Sequence, residues 1–407
     1  MDIEKIRQDF PLFKTDINGK PIVYFDNACQ TLRPRTVINA ISEYYEKYPA
    51  CGGRSSHKLA NTVTRKCEEA RKTIAKFIGA KRKEEIIFTR NTTEGINLIA
   101  NSLELNRGDI VVTTDKEHNS NLIPWQILAE KKGVIHKIVP SKPDNSFDLE
   151  KFKEIMEESR GDVKLTAMVF TSNLDGATIP AKEIIKISHQ YGAKVLLDAA
   201  QAAPHQKIDA DKLDADFMAF SGHKMLGPSG IGILYGKHRL LEKLEPFLTG
   251  GDTVEYSTYG GHKFLPPPEK FEAGLQDYAG IIGLGEAIKY LEKIGLKNIA
   301  AQEYKLNKFI TEEIAEIPRL KIIGPTNPAS RGGIISFYIE DVDSHQIALI
   351  LDETANVMIR SGQHCAHSWF NSRGIKGSAR ASLYFYNTLD ECRVFVQNLK
   401  KIINVLN

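Results

Sequence analysis

Between residues 84 and 236, short unbroken apolar runs alternate with amphipathic stretches. EEIIFT (84–89) leads into EGINLIANSLEL, DIVVTT (109–114) precedes NLIPWQILAEKKG, and KLTAMVFTSN (164–173) precedes AKEIIKISHQYG. KVLLDAA (194–200) and DFMAFS (216–221) are further apolar runs, and GIGILYG (230–236) follows closely. A strand apolar on both faces has to be covered on both. Helices returning between parallel strands do that, so the pattern predicts an α/β domain built on a mostly parallel sheet. The close DFMAFS/GIGILYG pair adds an antiparallel strand to it.

After residue 249 the pattern changes. The stretch 249–274 is rich in Gly and Pro and reads as a long surface excursion. Two helical stretches follow, IIGLGEAIKYLEKIG and IAAQEYKLNKFITEEIAEI. Strands at GGIISFYIE (332–340), NVMIRSG (356–362) and ARASLYFYN (379–387) are flanked by helices at 343–352 and 390–405. This order predicts a smaller α+β domain, with a helix over 281–295 joining it to the first. A chain of 407 residues suits that division.

A net charge of +3 offers no field for nucleic acid or an acidic membrane surface, and no apolar run is long enough to cross a bilayer. The N-terminal MDIEKIRQDFPLF lacks the build of a signal peptide. The five cysteines are odd in number, scattered and without a CxxC pair, which argues for a reducing, cytoplasmic setting.

Chemistry-bearing residues gather where the apolar strands end. Lys224 follows DFMAFS and precedes a Gly-rich turn. A lysine there is ordinarily a solvated loop residue, yet it also suits a Schiff-base lysine at a sheet edge. Asp198 ends KVLLDAA, where a buried carboxylate is costly unless paired. It precedes Lys224 by the length of one crossover. Pyridoxal phosphate requires an Asp and a Lys at neighbouring strand ends, the Lys to bind it and the Asp to keep its pyridine nitrogen protonated. Thr92 and Thr93 follow EEIIFT just ahead of a helix expected from about Glu94, either as a plain cap or as a phosphate site. His118 and Asn173 follow two further strands, where an imidazole can stack on a ring and an Asn is usually a turn residue. Ligands of parallel sheets bind outside the carboxyl ends of the strands, so the convergence outweighs each ordinary reading. Near the C-terminus, VMIRSGQHCAHSWF (357–370) sets Cys365 between His364 and His367, which on its own leaves a metal site, a reactive thiolate or chance open.

With these residues in place, the chain resembles the class V aminotransferase-like group of fold-type I pyridoxal-phosphate enzymes, and within it the Suf-type cysteine desulfurases and selenocysteine lyases. The resemblance runs from YFDNA at residue 24 to RASLYFYNT ending at 388. DAAQ, FSGHKMLGPSGIGILYG and RSGQHCAH are its most specific motifs.

The resemblance implies a seven-stranded large domain over 21–285, a small C-terminal domain over 286–407 carrying the cysteine loop, and residues 1–20 packing with the small domain. It implies pyridoxal 5'-phosphate bound by Lys224, with Asp198 at the pyridinium nitrogen, Gln201 at the ring hydroxyl and His118 stacked on the ring. Thr92, Thr93, Ser221 and His223 would hold the phosphate. Asn173 and Arg380 would orient the substrate carboxylate, with Arg360 and His57 nearby. Cys365 would take sulfur from L-cysteine as a persulfide, leave L-alanine, and pass the sulfur to an acceptor protein, as in iron–sulfur cluster assembly. A homodimer is also implied.

Two departures stand out. The family's FEAGTPN reads FEAGLQD here, so Leu275, Gln276 and Asp277 stand in a segment that, as the resemblance implies, approaches the cofactor phosphate of a partner subunit. GQHC and GGRSSH place Gln363 and Gly53 where histidines are common. Alternatives are therefore a selenocysteine lyase, a C–S lyase or an epimerase on the same fold. More distant are a Cys/His metal or redox module and an inactive cofactor-bound partner protein. Zinc usually wants paired ligands at wider spacing, and a thiol at Cys365 beside Arg360 favours persulfide chemistry over epimerisation.

Overall fold

In the computed structural model, which describes residues 1–406 and their side chains through residue 403, the large sheet has seven strands. They are β1 Ile86–Thr89, β2 Ile110–Thr114, β3 Ile135–Val139, β4 Val163–Val169, β5 Lys194–Asp198, β6 Phe217–Ser221 and β7 Gly232–Gly236. Their spatial order is β1-β7-β6-β5-β4-β2-β3. Only β7 runs antiparallel to its neighbours, pairing with β6 and β1, as the closeness of the last two apolar runs predicts. Apart from Lys194 at the start of β5 and Lys164 in β4, every residue of the six strands other than β3 is buried. β3 is one of the two edge strands, and its sequence IHKIV leaves Ile135 and Ile138 nearly half exposed, so it carries no unbroken apolar signal.

The smaller sheet is antiparallel: β8 Leu320–Ile323, β9 Ile334–Ile339, β10 Arg360–Gly362 and β11 Ser378–Ser382, in the order β8-β9-β11-β10. Helices Leu296–Ala315, Ser344–Ala355 and Leu389–Leu406 cover it. The Gly- and Pro-rich excursion holds a hairpin, Val254–Thr258 with Gly261–Phe264, and the expected joining helix spans Tyr278–Ile294.

The N-terminal chain visits both cores. Phe10 packs against Tyr290, Phe385 and Tyr386 in the main core. Val23 and Phe25 lie in the core of the small sheet, where Val23–Tyr24 pairs in parallel with Val357–Met358. The turn that follows, residues 26–31, therefore enters the space between the two sheets.

A buried ion pair anchors the end of the excursion. Glu272 accepts from both terminal nitrogens of Arg71 at 2.7 and 2.8 Å and from the backbone N–H of Phe88 at 2.7 Å, and Arg71 also donates to the carbonyl of Ile86. Removing one partner leaves the other charged in a dry site. We expect Glu272→Ala to lose about 3 kcal/mol or more of stability, read from equilibrium urea denaturation; an unchanged midpoint would contradict the anchoring role.

Candidate active site

The carboxyl ends of β1, β2, β4, β5 and β6 face one cavity of about 220 Å³. Asn91 caps the helix Thr92–Ser102 through its side chain, and Thr92 and Thr93 open that helix at the cavity wall. The Thr92 N–H donates to Ser221 Oγ at 2.8 Å, tying the end of β1 to the end of β6. Thr93 Oγ1 and Ser120 Oγ lie 2.7 Å apart, joining the helix start to the loop after His118. Gln201 Nε2 donates to the carbonyl of Ala28 at 2.7 Å. Asp198 ends β5 and Lys224 follows β6, the neighbouring parallel strand.

The small sheet supplies the opposite wall. Arg360 on β10 and Arg380 on β11 are register partners, so both guanidinium groups project from one face into the cavity. Arg380 donates to the carbonyl of Asn173 at 2.9 Å and lies 3.5 Å from Asp26.

Cys365 enters on the turn after β10, beyond the end of the strand. His364 and Cys365 have φ values of 49° and 59°. Two successive side-chain-bearing residues in the left-handed region cost roughly 1–3 kcal/mol each. Neighbours hold them there. The N–H of Asn119 donates to the Cys365 carbonyl and Asn173 Nδ2 to the His364 carbonyl, both at 2.7 Å, and His364 Nε2 meets Ser378 Oγ at 2.8 Å. His367 turns outward to Asn119, so the His and Cys side chains diverge.

Electrostatics follow from burial. Desolvation pushes the Asp198 carboxyl up, and the nearby Lys224 ammonium partly offsets it. Desolvation pulls Lys224 down against the pull of Asp198, with Arg380 adding to the fall. His118 falls to about 3, first from burial and then from Lys224 and Arg380, so its imidazole is neutral at working pH. Burial likewise lowers His223 to about 4 and His364 to about 2, with Lys224 and Arg380 respectively adding to it.

Among the expected site residues, Thr92, Thr93, His118, Asn173, Asp198, Gln201, Ser221, His223, Lys224, Arg360, Cys365 and Arg380 meet at this cavity. His57 does not. It is exposed, and its Nδ1 accepts from the Ala60 N–H as the cap of helix Lys58–Phe77, which places it outside the cavity of its own chain. His364, expected beside the thiol, also lines the cavity, as do Cys29, Ser120 and Thr171, which sequence reasoning did not assign to it. These three lie between the regular elements of the sheet, without a periodic pattern to mark them.

The departures acquire local explanations. Asp277 turns its carboxylate onto the helix Tyr278–Ile294, accepting from the Gly280 N–H at 2.8 Å, and Leu275 is exposed. Gln363 does not line the cavity; its amide reaches Asn371 and the Lys376 carbonyl.

A sheet edge of this topology, with a lysine and an aspartate on adjacent strand ends, defines a pyridoxal-phosphate enzyme of the fold-type I class. The chain belongs to the class-V aminotransferase family: the family's sequence model, Aminotransferase class-V, matches residues 23–395. A probable cysteine desulfurase of Streptomyces coelicolor is 40% identical, with 99% of this chain and 98% of the relative covered. One from Synechocystis sp. is 42% identical over 98% and 95%. The apo structure of a cysteine desulfurase from Thermococcus onnurineus NA1 superposes with a TM-score of 0.93 at 40% identity, covering 99% of this chain and 98% of that one. Escherichia coli CsdA, a cysteine desulfurase solved in an S-sulfonic acid form, superposes at 0.91 with 29% identity, covering 100% and 99%.

The residues present fit pyridoxal phosphate. Beyond the Lys224 and Asp198 pair, Gln201 Oε1, Asn173 Oδ1 and Arg380 Nε are buried at the cavity wall without a hydrogen-bond partner among the described residues.

The neutral histidines set a pH dependence. His364 has a folded value near 2 against an ordinary 6.5, so only the unfolded chain takes up its proton as pH falls through 6.5. Its contribution to stability is therefore full above 6.5 and shrinks steadily below. The melting temperature should fall from pH 6.5 towards 4, and less steeply in His364→Gln; parallel curves for the two proteins would contradict this.

Proposed function

We infer that the chain is a pyridoxal-phosphate-dependent cysteine desulfurase, which removes sulfur from L-cysteine, leaves L-alanine and holds the sulfur as a persulfide on Cys365. The observation that carries this reading is the delivery of the Cys365 loop into the cavity that also holds Lys224, Asp198 and Arg380. Full-length relatives named cysteine desulfurase support it.

Bound in this cavity, pyridoxal phosphate supplies an electron sink for the pair left behind when the substrate's α-proton departs. Lys224 would hold the cofactor, and its amine would take and return that proton. Asp198 would pair with the pyridine nitrogen and Gln201 with the ring hydroxyl, while the neutral imidazole of His118 would stack on the ring. Thr92, Thr93, Ser221 and His223 would hold the phosphate, to which the start of helix Thr92–Ser102 would add its dipole. Arg380 clamps the substrate carboxylate with Asn173 beside it, and Arg360 assists from the neighbouring strand. The Cys365 thiolate attacks the substrate sulfur. Its S–S bond forms as the substrate's C–S bond breaks, and the carbon fragment leaves as alanine after protonation.

Several finer assignments belong to the same proposal. The large domain over 21–285 and the small one over 286–407 act as the cofactor-binding and sulfur-accepting bodies. A homodimer is favoured by the exposed Phe247, Leu248, Tyr256, Tyr259 and Leu275 on and beside the excursion. Five unpaired cysteines support a reducing, cytoplasmic setting, with an acceptor protein of an iron–sulfur assembly route taking the sulfur.

The purified protein should show a visible absorbance band that Lys224→Ala loses. Cys365→Ser should keep the band and release no sulfide from L-cysteine; undiminished release would remove the persulfide role. Arg380→Lys should raise KM for L-cysteine by roughly ten- to a hundred-fold, the loss of a paired charge-assisted contact. Product analysis separates desulfuration, which yields alanine, from β-elimination, which yields pyruvate.

A further inference from the structure

The cavity holds a second thiol. Cys29 lines it together with Cys365, and Arg360 donates from a terminal nitrogen to Cys29 Sγ at 2.8 Å. Among the described residues this sulfur is the only hydrogen-bond partner of the Arg360 side chain. Its register partner differs. Arg380 rests on the Asn173 carbonyl and Asp26, whereas Arg360, directly opposite it and of like charge, feels Asp26 only at longer range and has no carboxylate within ion-pair distance among the described residues. Like charges facing each other across a ladder repel, so the position of Arg360 depends on what receives it on the far side.

The receiving turn is fixed from three directions. The Ala28 N–H donates to Ser382 Oγ at 2.9 Å, which ties the turn to β11 of the small sheet. Gln201 Nε2 holds the Ala28 carbonyl from the large sheet. The Thr31 N–H donates to the His223 carbonyl at 3.0 Å, and Thr31 Oγ1 accepts from the Leu226 N–H at 2.8 Å, which fastens the turn to the loop bearing Lys224. The sulfur of Cys29 is thus a fixed point relative to Lys224, and Arg360 reaches it from the sheet that also carries Arg380.

We propose that Cys29 is a positioning residue for the desulfurase reaction: its sulfur seats the Arg360 guanidinium beside Arg380, setting the paired cationic wall that receives the substrate carboxylate. The inference rests on the reading given under Proposed function. It assigns Cys29 no sulfur-carrying step of its own.

The test is a cycle of Cys29→Ala, Arg360→Ala and the double variant, with Cys29→Ser beside them. Each is scored by KM and kcat for L-cysteine and by Kd for L-alanine, read from the change in the cofactor's absorbance band. Cys29→Ala should raise KM and Kd about five- to ten-fold, the effect of one hydrogen bond of ordinary net strength, with kcat changed less. Cys29→Ser, which keeps an acceptor, should recover most of the loss. The double variant should be no worse than Arg360→Ala alone, because the two residues act through one contact. Effects that multiply in the double variant, a Cys29→Ala protein equal to wild type, or turnover sulfur found on the Cys29 peptide would each overturn the proposal. Absence of sulfide and alanine from the wild type would instead sink the desulfurase reading, while the L-alanine Kd cycle would still decide the Cys29–Arg360 contact.

Discussion

The structure turns on a lysine and an aspartate placed at adjacent strand ends and withdrawn from solvent at the floor of the cavity. Each is the other's principal countercharge, and each is costly to bury alone. β5 and β6 run parallel, so both groups come out at the same edge of the sheet. The connections after β1, β2 and β4 deliver Thr92, His118 and Asn173 to that edge as well. Unbroken apolar strands, a parallel sheet and a polar cavity at its rim are in this sense one consequence of the sequence pattern.

The small sheet adds what the large one lacks. Its two register-paired arginines bring positive charge to a cavity whose carboxylates are Asp198 and, close by, Asp26. The net excess of cation is what a substrate carboxylate and a thiolate need. The same charge helps hold His118 and His364 neutral, leaving imidazoles that accept hydrogen bonds or stack without adding to the repulsion. The left-handed backbone at His364 and Cys365 is strain held in place by Asn119, Asn173 and Ser378. Asn173 therefore links the Cys365 loop to Arg380, donating to the His364 carbonyl and accepting from the Arg380 guanidinium.

Legibility in the sequence followed local periodicity. Lys224, Asp198, His118 and Asn173 could be singled out because each follows an apolar run that announces a strand, and strand ends of a parallel sheet converge. β3 escaped notice because an edge strand with His136 and Lys137 has no unbroken run. Arg360 and Arg380 come from a small antiparallel sheet far along the chain, and only the family resemblance points to them; Cys365 and His364 stand out in the sequence, but with metal, thiolate and chance all open. His57 is drawn to the site by resemblance, yet in its own chain the ring caps a helix. Cys29 cannot be read from spacing, since its place depends on tertiary contacts between a turn and two sheets. The Gln363 and Asp277 departures look consequential in one dimension and are satisfied locally in three, by Asn371 and Lys376 and by Gly280.

The central claim is that sulfur leaves L-cysteine for Cys365 inside this cavity. Peptide mass analysis of the protein after turnover with L-cysteine, without an added thiol acceptor, tests it most directly. The account predicts one additional sulfur atom on the peptide carrying Cys365 and none on those carrying Cys29, Cys51, Cys67 or Cys392. Alanine formed while the Cys365 peptide stays unmodified, or sulfur found on a different cysteine, would contradict it.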